Sequence, residues 1–445
     1  MAQPTDDDSE ASKLAAALVY VEEHRRWNQA GRVGAPPAQA AVAAKLARGL
    51  NRRISQSTVS RWLRDTENRY WRRDITGLTA AIEGTSLLVR ARDIAFPANI
   101  ATLIRSGVSD TAARRLLSVH SFPAPAGEAP GDGARSAGIA FARAAMGRVI
   151  DLLSTGDLWG ITWGHNVACV IDEIVSHPAG REEMGRKPRR VVPLCGDPFD
   201  RLPTHQSSSV LAEQLDVYLS GDSDAEPLSL RNVPSYIPST KDGFTVAEIA
   251  GIKKFVLRCK AYQKIFGVGR LQIGGRRTPA DSGKPLAAQL DGILTSVSSD
   301  ERTFFYGPTT MIPMTKAESK WLNDNAFDIG GVCLARSSSS REGDALLDRL
   351  RVQWTGITLE QLEDCAERTC RTRAVDSPPG VVVVAIGVHK VASVAECLKR
   401  GLINHLLCST DLASELERLF NRKRTDPGPF SGAPTSATAT PRISW

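Results

Sequence analysis

The 445-residue chain lacks any run of about 18 apolar residues, the length that a membrane-spanning helix requires. The sequence therefore predicts no transmembrane helix and no membrane partner. Its first residues, MAQPTDDDSEASK, lack the basic segment followed by an apolar segment that marks a secretory signal. We expect a cytoplasmic protein without internal repeats.

The eight cysteines include no CxxC pair, and no Cys/His pair has zinc-finger spacing. Four of them lie in apolar, strand-like runs: Cys169, Cys195, Cys333 and Cys408. The other four lie in helix-like runs: Cys259, Cys365, Cys370 and Cys397. We expect reduced, structural thiols, as is usual in the cytosol, and no metal or other cofactor.

What the chain does have is a normal apolar content and a concentrated positive charge. Hydrophobic residues make up 42% and charged residues 24%, which is typical of a globular protein with a real core. The net charge is +7, and the segment from Gln39 to Ile75 alone holds nine basic residues against three acids. Charge concentrated in this way is typical of nucleic-acid binding.

The basic segment also has the pattern of two short helices joined by a turn. Pro37 suits the first turn of a helix that runs to about Gly49, and Ser55 is a good N-cap for the next helix. Val59, Trp62 and Leu63 fall on one face of that second helix. Its opposite face is polar and basic, which indicates a helix-turn-helix rather than an ordinary surface helix. The predicted DNA contacts are Arg52, Arg53, Gln56, Ser57, Thr58, Ser60, Arg61 and Arg64.

The remainder of the chain alternates between apolar strands and helices. Strands are predicted at 157–164, 189–196, 290–298, 327–336, 380–387 and 402–409, and helices at about 165–176, 206–219, 245–266, 391–400 and from Thr410 onward. Continuous apolar strands separated by helices predict an α/β domain with a mostly parallel sheet covered on both faces. Two long loops are expected at 122–138 and 267–288.

These patterns predict four regions. Residues 1–12 form a disordered acidic arm, and 13–85 form a helix-turn-helix DNA-binding domain that begins with a helix over 14–27. Residues 86–424 form the α/β domain. Residues 425–445, which are rich in Pro, Ser, Thr and Ala, form a disordered tail.

The segment VAAKLARGLNRRISQSTVSRWLRD resembles the helix-turn-helix of the SorC family of sugar-responsive bacterial transcription regulators, which is close to the DeoR-type regulators. LLSTGDLWGITWGHNV, LDGILTSVS, PPGVVVVAIGVHK and ECLKRGLINHLLCSTDLASEL resemble further motifs of that family, in order along the chain. The resemblance implies a Rossmann-like domain similar to the sugar-phosphate isomerases, used for sensing. It also implies that residues 86–424 are an effector-binding and oligomerisation domain, that the effector is a sugar or sugar phosphate, and that the protein binds a double-stranded DNA operator.

The candidate effector site lies where the strands end, because ligands of open parallel sheets bind beyond the carboxyl ends of the strands. The predicted effector contacts are Thr162, Gly164, His165, Asn166 and Lys390. Gly164 opens a helix whose N-terminus favours an anion, and the resemblance implies that Lys390 contacts a phosphorylated effector.

Some of these positions also have an ordinary structural interpretation. His165 is also suited to capping its helix, Lys390 to a solvated helix start, and His389 to a structural role. Members of the family usually carry Thr or Ser after the glycine of the phosphate loop, where this chain has His165 and Asn166. The effector is therefore expected either to differ from the usual sugar phosphates or to lack a phosphate.

Three functions are compatible with these patterns. We expect a nucleoid-associated homodimer or homotetramer whose operator binding responds to an effector. One alternative is an isomerase- or deaminase-like enzyme in which Asp197, His165 and His389 meet, although no motif specifies a catalytic residue. The other is a DNA-binding protein whose α/β domain only oligomerises. The basic helix-turn-helix argues against an enzyme.

Overall fold

The computed structural model of the chain describes residues 13, 15–17, 19–20, 39–49, 55–70, 99–124, 132–177, 189–197, 206–220, 226–267, 284–298, 314–336, 341–371 and 378–425. The predicted acidic arm, the C-terminal tail beyond 425 and the predicted domain boundary at residue 85 lie outside these residues. No helix in the described ranges is long and apolar enough to cross a membrane.

Two helices form the N-terminal basic segment, α1 (Gln39–Gly49) and α2 (Gln56–Tyr70). They pack against each other. The contact buries Val42 and Leu46 of α1 and Val59 and Trp62 of α2, which are the apolar stripes expected from the sequence. The described residues between Lys13 and Tyr20 are also helical, in agreement with the predicted first helix.

The described residues contain eight strands: β1 (Ser118–Phe122), β2 (Leu158–Ile161), β3 (Arg190–Pro193), β4 (Gly292–Ser296), β5 (Ala326–Ile329), β6 (Val332–Ala335), β7 (Gly380–Ala385) and β8 (His405–Ser409). Six of them form one sheet in the order β1-β8-β7-β4-β2-β3, and every pair in it is parallel. The predicted parallel α/β sheet is confirmed.

Further helices surround this sheet: α3 (Asn99–Ser106), α4 (Asp110–Arg115), α5 (Asp132–Leu153), α6 (His165–Val175), α7 (Ser208–Ser220), α8 (Val246–Arg258), α9 (Lys260–Phe266), α10 (Lys316–Asn325), α11 (Arg341–Gln353), α12 (Leu359–Arg371), α13 (Val391–Lys399) and α14 (Thr410–Thr425). Helices α5, α6 and α7 cover one face of the sheet, and α3, α9, α12, α13 and α14 contribute to the core on the other.

Strand β7 shows why the central strands read as continuous apolar runs. All six of its residues are buried. Successive side chains of a strand point to opposite faces, so Val381 and Val383 enter one core, while Val382 and Val384 enter the other. Because both faces are covered by helices, neither set meets water.

The prediction of one strand over 327–336 is wrong. The segment forms an antiparallel hairpin in which β5 pairs with β6, separate from the main sheet. Gly330 and Gly331 form its turn with φ values of 59° and 92°. Glycine adopts these angles without steric cost, and so the chain reverses within an otherwise apolar run.

Three further predictions need correction. The helix expected over 245–266 is two helices, because Cys259 between them is extended with φ −67° and ψ 109°. The loop expected over 122–138 is shorter, since α5 begins at Asp132. Strand β1 was not predicted; its polar sequence SVHSF suits its position at the edge of the sheet, beside β8 alone.

The cysteines are all free, as predicted, although Cys169 lies in α6 rather than in a strand. Burial raises the pKa of the Cys195 and Cys365 thiols to about 12. Thiols with such raised pKa values are protonated at neutral pH and are poor nucleophiles, which fits the expected structural role.

Asn404 lies immediately before β8, at the edge of the sheet formed by the amino-terminal ends of the strands. It links three elements there. Its buried side chain accepts a hydrogen bond from the Val381 amide at 2.7 Å and donates to the carbonyls of Arg115 (2.9 Å) and Ala366 (3.0 Å). One amide group thus satisfies backbone groups of β7, α4 and α12.

We predict that Asn404→Leu lowers the free energy of unfolding by roughly 3–5 kcal/mol, because three backbone groups lose a partner inside the protein. Urea denaturation followed by circular dichroism measures the change. Asn325→Leu is the matched control, since the Asn325 side chain makes one hydrogen bond, to the Trp321 carbonyl. The control should cost about 1 kcal/mol or less; equal losses in the two variants would contradict the role of Asn404.

Candidate functional site

The outer face of α2 is polar and begins with a side-chain cap. The Ser55 hydroxyl accepts a hydrogen bond from the Thr58 amide at 3.1 Å and lies 2.8 Å from the Ser57 hydroxyl. Gln56, Ser57 and Arg61 are exposed, and Ser60 is half-buried. The helix therefore presents hydroxyl, carboxamide and guanidinium groups, which hydrogen-bond base edges and phosphates.

Three of the predicted DNA-contacting side chains lie outside the described part of the structure. Arg52 and Arg53 belong to the connection between α1 and α2, which lies outside the described residues. Arg64 lies in α2, but its side chain is not among those described. Their roles stay predictions from the sequence.

The predicted effector residues follow neighbouring strands. Strand β4 lies between β2 and β7, and all three are parallel. Gly164 after β2, Ser296 and Val297 at the end of β4, and Lys390 after β7 therefore occupy one edge of the sheet. We call this group, together with Asn166, the strand-edge site.

Gly164 is the N-cap of α6 and has φ 133° and ψ 150°, a conformation that residues with a side chain rarely adopt. A Cβ atom there would lie 2.7 Å from the Ser296 hydroxyl oxygen. The backbone of β2 thus reaches the end of β4 only because this residue is glycine. The first amides of α6 point out of the helix at this place, where the helix dipole favours an anion.

Asn166 lies in the first turn of α6 and is only 8% exposed. Its side-chain nitrogen, Nδ2, is buried and has no hydrogen-bond partner among the residues that the structure describes. A buried N–H without a partner costs free energy, so a ligand or water oxygen at this position would be stabilised.

His165 and Thr162 are placed differently from Asn166. The His165 Nε2 atom lies 3.6 Å from the Cys169 sulfur, one turn along α6, and beside Gly138 of α5. Thr162 is fully buried, and its hydroxyl lies 2.8 Å from that of Thr295 in β4. A Cβ atom on Gly330 would lie 2.7 Å from the Thr162 methyl group, and so the hairpin turn lies against Thr162.

Lys390 ends a short 3₁₀ helix that begins after Gly387, where φ is 91°. Its ammonium group donates a hydrogen bond to the Val297 carbonyl at 2.9 Å. This contact brings the cation from the end of β7 to the end of β4, at the residue that follows Ser296, which Gly164 approaches. An ammonium group has three donors, so it can bind more than one acceptor at this edge of the sheet.

Asp328 in β5 is a member of this edge that the sequence analysis missed. Its side chain is 5% exposed and accepts a hydrogen bond from the Gly331 amide at 3.1 Å. Burial raises the pKa of the carboxyl to about 6, although hydrogen bonds from Gly331 and Ser298 and the charge of Lys390 oppose the shift. A single acidic residue before two glycines in the apolar run FDIGGV was the available signal.

The catalytic alternative requires Asp197, His165 and His389 to meet. The Ser207 hydroxyl lies 2.8 Å from both carboxylate oxygens of Asp197, and burial raises the pKa of that carboxyl. His165 lies against Cys169, and His389 is exposed beside Gly387. The hydrogen bonds described for these residues do not join the three into one constellation. The described residues also contain no His, Cys, Asp and Glu cluster suited to a metal ion.

Comparisons with protein-family models and with curated proteins find no match. Several solved structures are similar. The full-length sorbitol operon regulator SorC from Klebsiella pneumoniae is 15% identical, with 84% of this chain and 93% of that chain covered and a TM-score of 0.47. A DeoR family transcriptional regulator from Listeria monocytogenes is 15% identical, with 68% and 94% covered and a TM-score of 0.44. A transcriptional regulator from Streptococcus pneumoniae is 15% identical, with 74% and 100% covered and a TM-score of 0.44.

The raised pKa of Asp328 predicts a pH-dependent stability. Between about pH 4 and pH 6 the folded protein keeps a proton on this carboxyl that the unfolded chain releases, so its contribution to stability falls as the pH rises through that window. Asp328→Asn cannot ionise. The variant should therefore gain on the order of 2 kcal/mol relative to wild type between about pH 4.5 and pH 7.5.

Urea denaturation of both proteins at the two pH values measures the free energies of unfolding. The titration of all other groups is the same in the two proteins and cancels when the variant is compared with wild type. Asp344→Asn, which removes an exposed carboxylate, controls for the loss of one charge. A difference between Asp328→Asn and wild type that is the same at both pH values would contradict the raised pKa.

Proposed function

We propose that the protein is a DNA-binding transcriptional regulator whose operator binding is modulated by a small sugar or sugar-phosphate effector. The single observation that supports this most is the exposed face of α2. It is capped by Ser55, anchored by buried Val59 and Trp62, and carries Arg61 within the most basic segment of the chain. An enzyme that acts on a small molecule has no use for such a helix.

The proposal assigns DNA contacts to α2 and the connection before it. Gln56, Ser57, Thr58, Ser60, Arg61 and Arg64 would face the major groove, and Arg52 and Arg53 would contact phosphates. Trp62 and Val59 hold the helix on α1, and so the outer side chains are presented from a fixed backbone.

We predict that Arg61→Ala weakens operator binding by roughly 1–3 kcal/mol if the guanidinium contacts a base, or weakens binding to all sequences equally if it contacts a phosphate. A gel-shift titration with operator and with unrelated DNA separates the two. Arg258→Ala is the control because it removes an exposed arginine from α8. Operator binding by Arg61→Ala that equals wild type would refute the assignment.

The protein is proposed to act as a homodimer or homotetramer in the bacterial cytoplasm, associated with the nucleoid. One helix-turn-helix reads only a few base pairs, and specificity normally comes from two half-sites about one helical turn apart. Sedimentation or light scattering should therefore give two or four times the chain mass of 48.0 kDa. A monomer both free and bound to DNA would refute this part.

The effector is proposed to bind at the strand-edge site. The features that support this are the first amides of α6 behind Gly164, the unpartnered Nδ2 of Asn166 and the cation of Lys390 near the end of β4. His165 and Thr162 would support the strand-edge site from its inner side, because their side chains contact Cys169 and Thr295. Asp328 would hold Lys390 in place through its negative charge.

We predict that Lys390→Ala weakens effector binding by about 1.5–3 kcal/mol, because a charge-assisted hydrogen bond is lost. Gly164→Val should abolish binding, since a side chain there meets the Ser296 hydroxyl. Titration calorimetry with sugars and sugar phosphates measures both, and Lys260→Ala on the surface of α9 is the control.

Both strand-edge variants should bind operator as the wild type does, because the contacts proposed for DNA lie in α2. The effector, however, should no longer change their operator affinity. Unchanged effector affinity in both variants would place the effector elsewhere.

A further inference from the structure

A cavity of about 250 Å³ lies where the β5–β6 hairpin meets the segment that joins α11 to α12. Its inner wall is made of buried side chains, among them Tyr236, Val332, Leu350 and Trp354. Exposed residues form its rim, with Val352 77% exposed and Glu360 also exposed. The cavity is therefore lined mostly by apolar side chains on the inside and opens to solvent at one end.

Two aromatic rings dominate the inner wall. The centroids of Tyr236 and Trp354 are 5.1 Å apart with the ring planes at 54°. The indole N–H of Trp354 already donates to the Ile357 carbonyl at 2.7 Å, so this ring offers the cavity an apolar π surface. Aromatic rings in such a setting prefer to pack against another flat ring, either offset or edge to face.

The size and polarity of the cavity narrow the ligand class. A dry cavity of about 150 Å³ accepts benzene, and so this larger one has room for one or two fused rings. The charged lining residues, Arg351 and Glu360, are exposed at the rim, and the inner wall is mostly apolar. A sugar would need hydrogen bonds on most sides, whereas a flat aromatic ring with one polar substituent toward the rim needs none inside.

The cavity shares one wall with the strand-edge site. Gly331 lines the cavity, and a Cβ atom there would collide with the Trp354 ring. The neighbouring Gly330 packs on Thr162 and Thr295 at the ends of β2 and β4, and its amide donates to the Ser296 carbonyl at 3.0 Å. The hairpin turn is thus held between the aromatic wall and the strand ends.

We propose that this cavity is a second ligand site, for a flat aromatic or heteroaromatic compound of one or two rings, and that its occupation restrains the Gly330–Gly331 turn against the strand-edge site. The binding of the aromatic compound and the restraint of the turn are supported by the cavity and the hairpin alone. Only their use in controlling the effector response rests on the proposed function.

Titration calorimetry of the full chain with indole tests the site. We expect one indole per chain. Val332→Phe, which fills the cavity from its wall, should weaken indole binding by about tenfold or more, because the space for the ring is lost. A thermal melt checks that this variant folds.

A second pair of variants avoids any change to the core. Val352→Trp places an indole side chain at the exposed rim and should weaken binding severalfold. Val246→Trp adds the same side chain on α8, at a residue that is 73% exposed and does not line the cavity, and should bind indole as the wild type does. Absence of indole binding, or equal binding by all variants, would overturn the proposed site.

Hydrogen exchange tests the restraint without DNA or a sugar. Indole should slow amide exchange in residues 292–298 and 326–335 of the wild type, and should not do so in Val332→Phe. Indole binding that leaves exchange in both segments unchanged would overturn the link between the two sites. A protein that binds and responds to indole but not to operator DNA would instead refute the proposed function.

Discussion

Burial of the parallel sheet on both faces is the constraint on which the larger domain depends. Since helices cover the two faces, the only parts of β2, β4 and β7 that reach polar surroundings are their ends. Asn404 satisfies backbone groups at one edge, and the opposite edge collects Gly164, Ser296 and Lys390. The place where polar chemistry is possible is therefore set by the sheet itself.

The strand-edge site is covered by an element outside the sheet. The two-glycine turn of the β5–β6 hairpin packs against the ends of β2 and β4. The hairpin also carries the buried carboxyl of Asp328, whose pKa is affected by the charge of Lys390. The positive charge of Lys390 favours the ionised form of this carboxyl, in opposition to the effect of burial. The same turn forms a wall of the aromatic cavity, so one small element contacts both places where a ligand is proposed to bind.

The N-terminal helices differ from the sheet in the physical property that characterises them. Among the described residues, Val42, Leu46, Val59 and Trp62 form a small core where α1 and α2 meet, and the polar face of α2 takes no part in this contact. Charge, rather than burial, distinguishes this segment, because it carries nearly all the positive excess of the chain. A small packed core is enough to orient a helix whose outer side chains are proposed to act on an extended anionic partner.

Local patterns in the sequence determined the α1–α2 pair, the Ser55 cap, the strands of the parallel sheet except β1, and the edge of the sheet that Gly164 and Lys390 share. Those features depend on hydrophobic periodicity and on residues close in the chain, which a sequence displays directly. Tertiary structure alone decided that FDIGGVCLAR folds back on itself, that His165 turns toward α5, and that Asp328 joins the site. The positions of His165 and Asp328 depend on packing between separate elements, as does the contact of Gly330 with Thr162, and hydrophobic periodicity does not specify such packing.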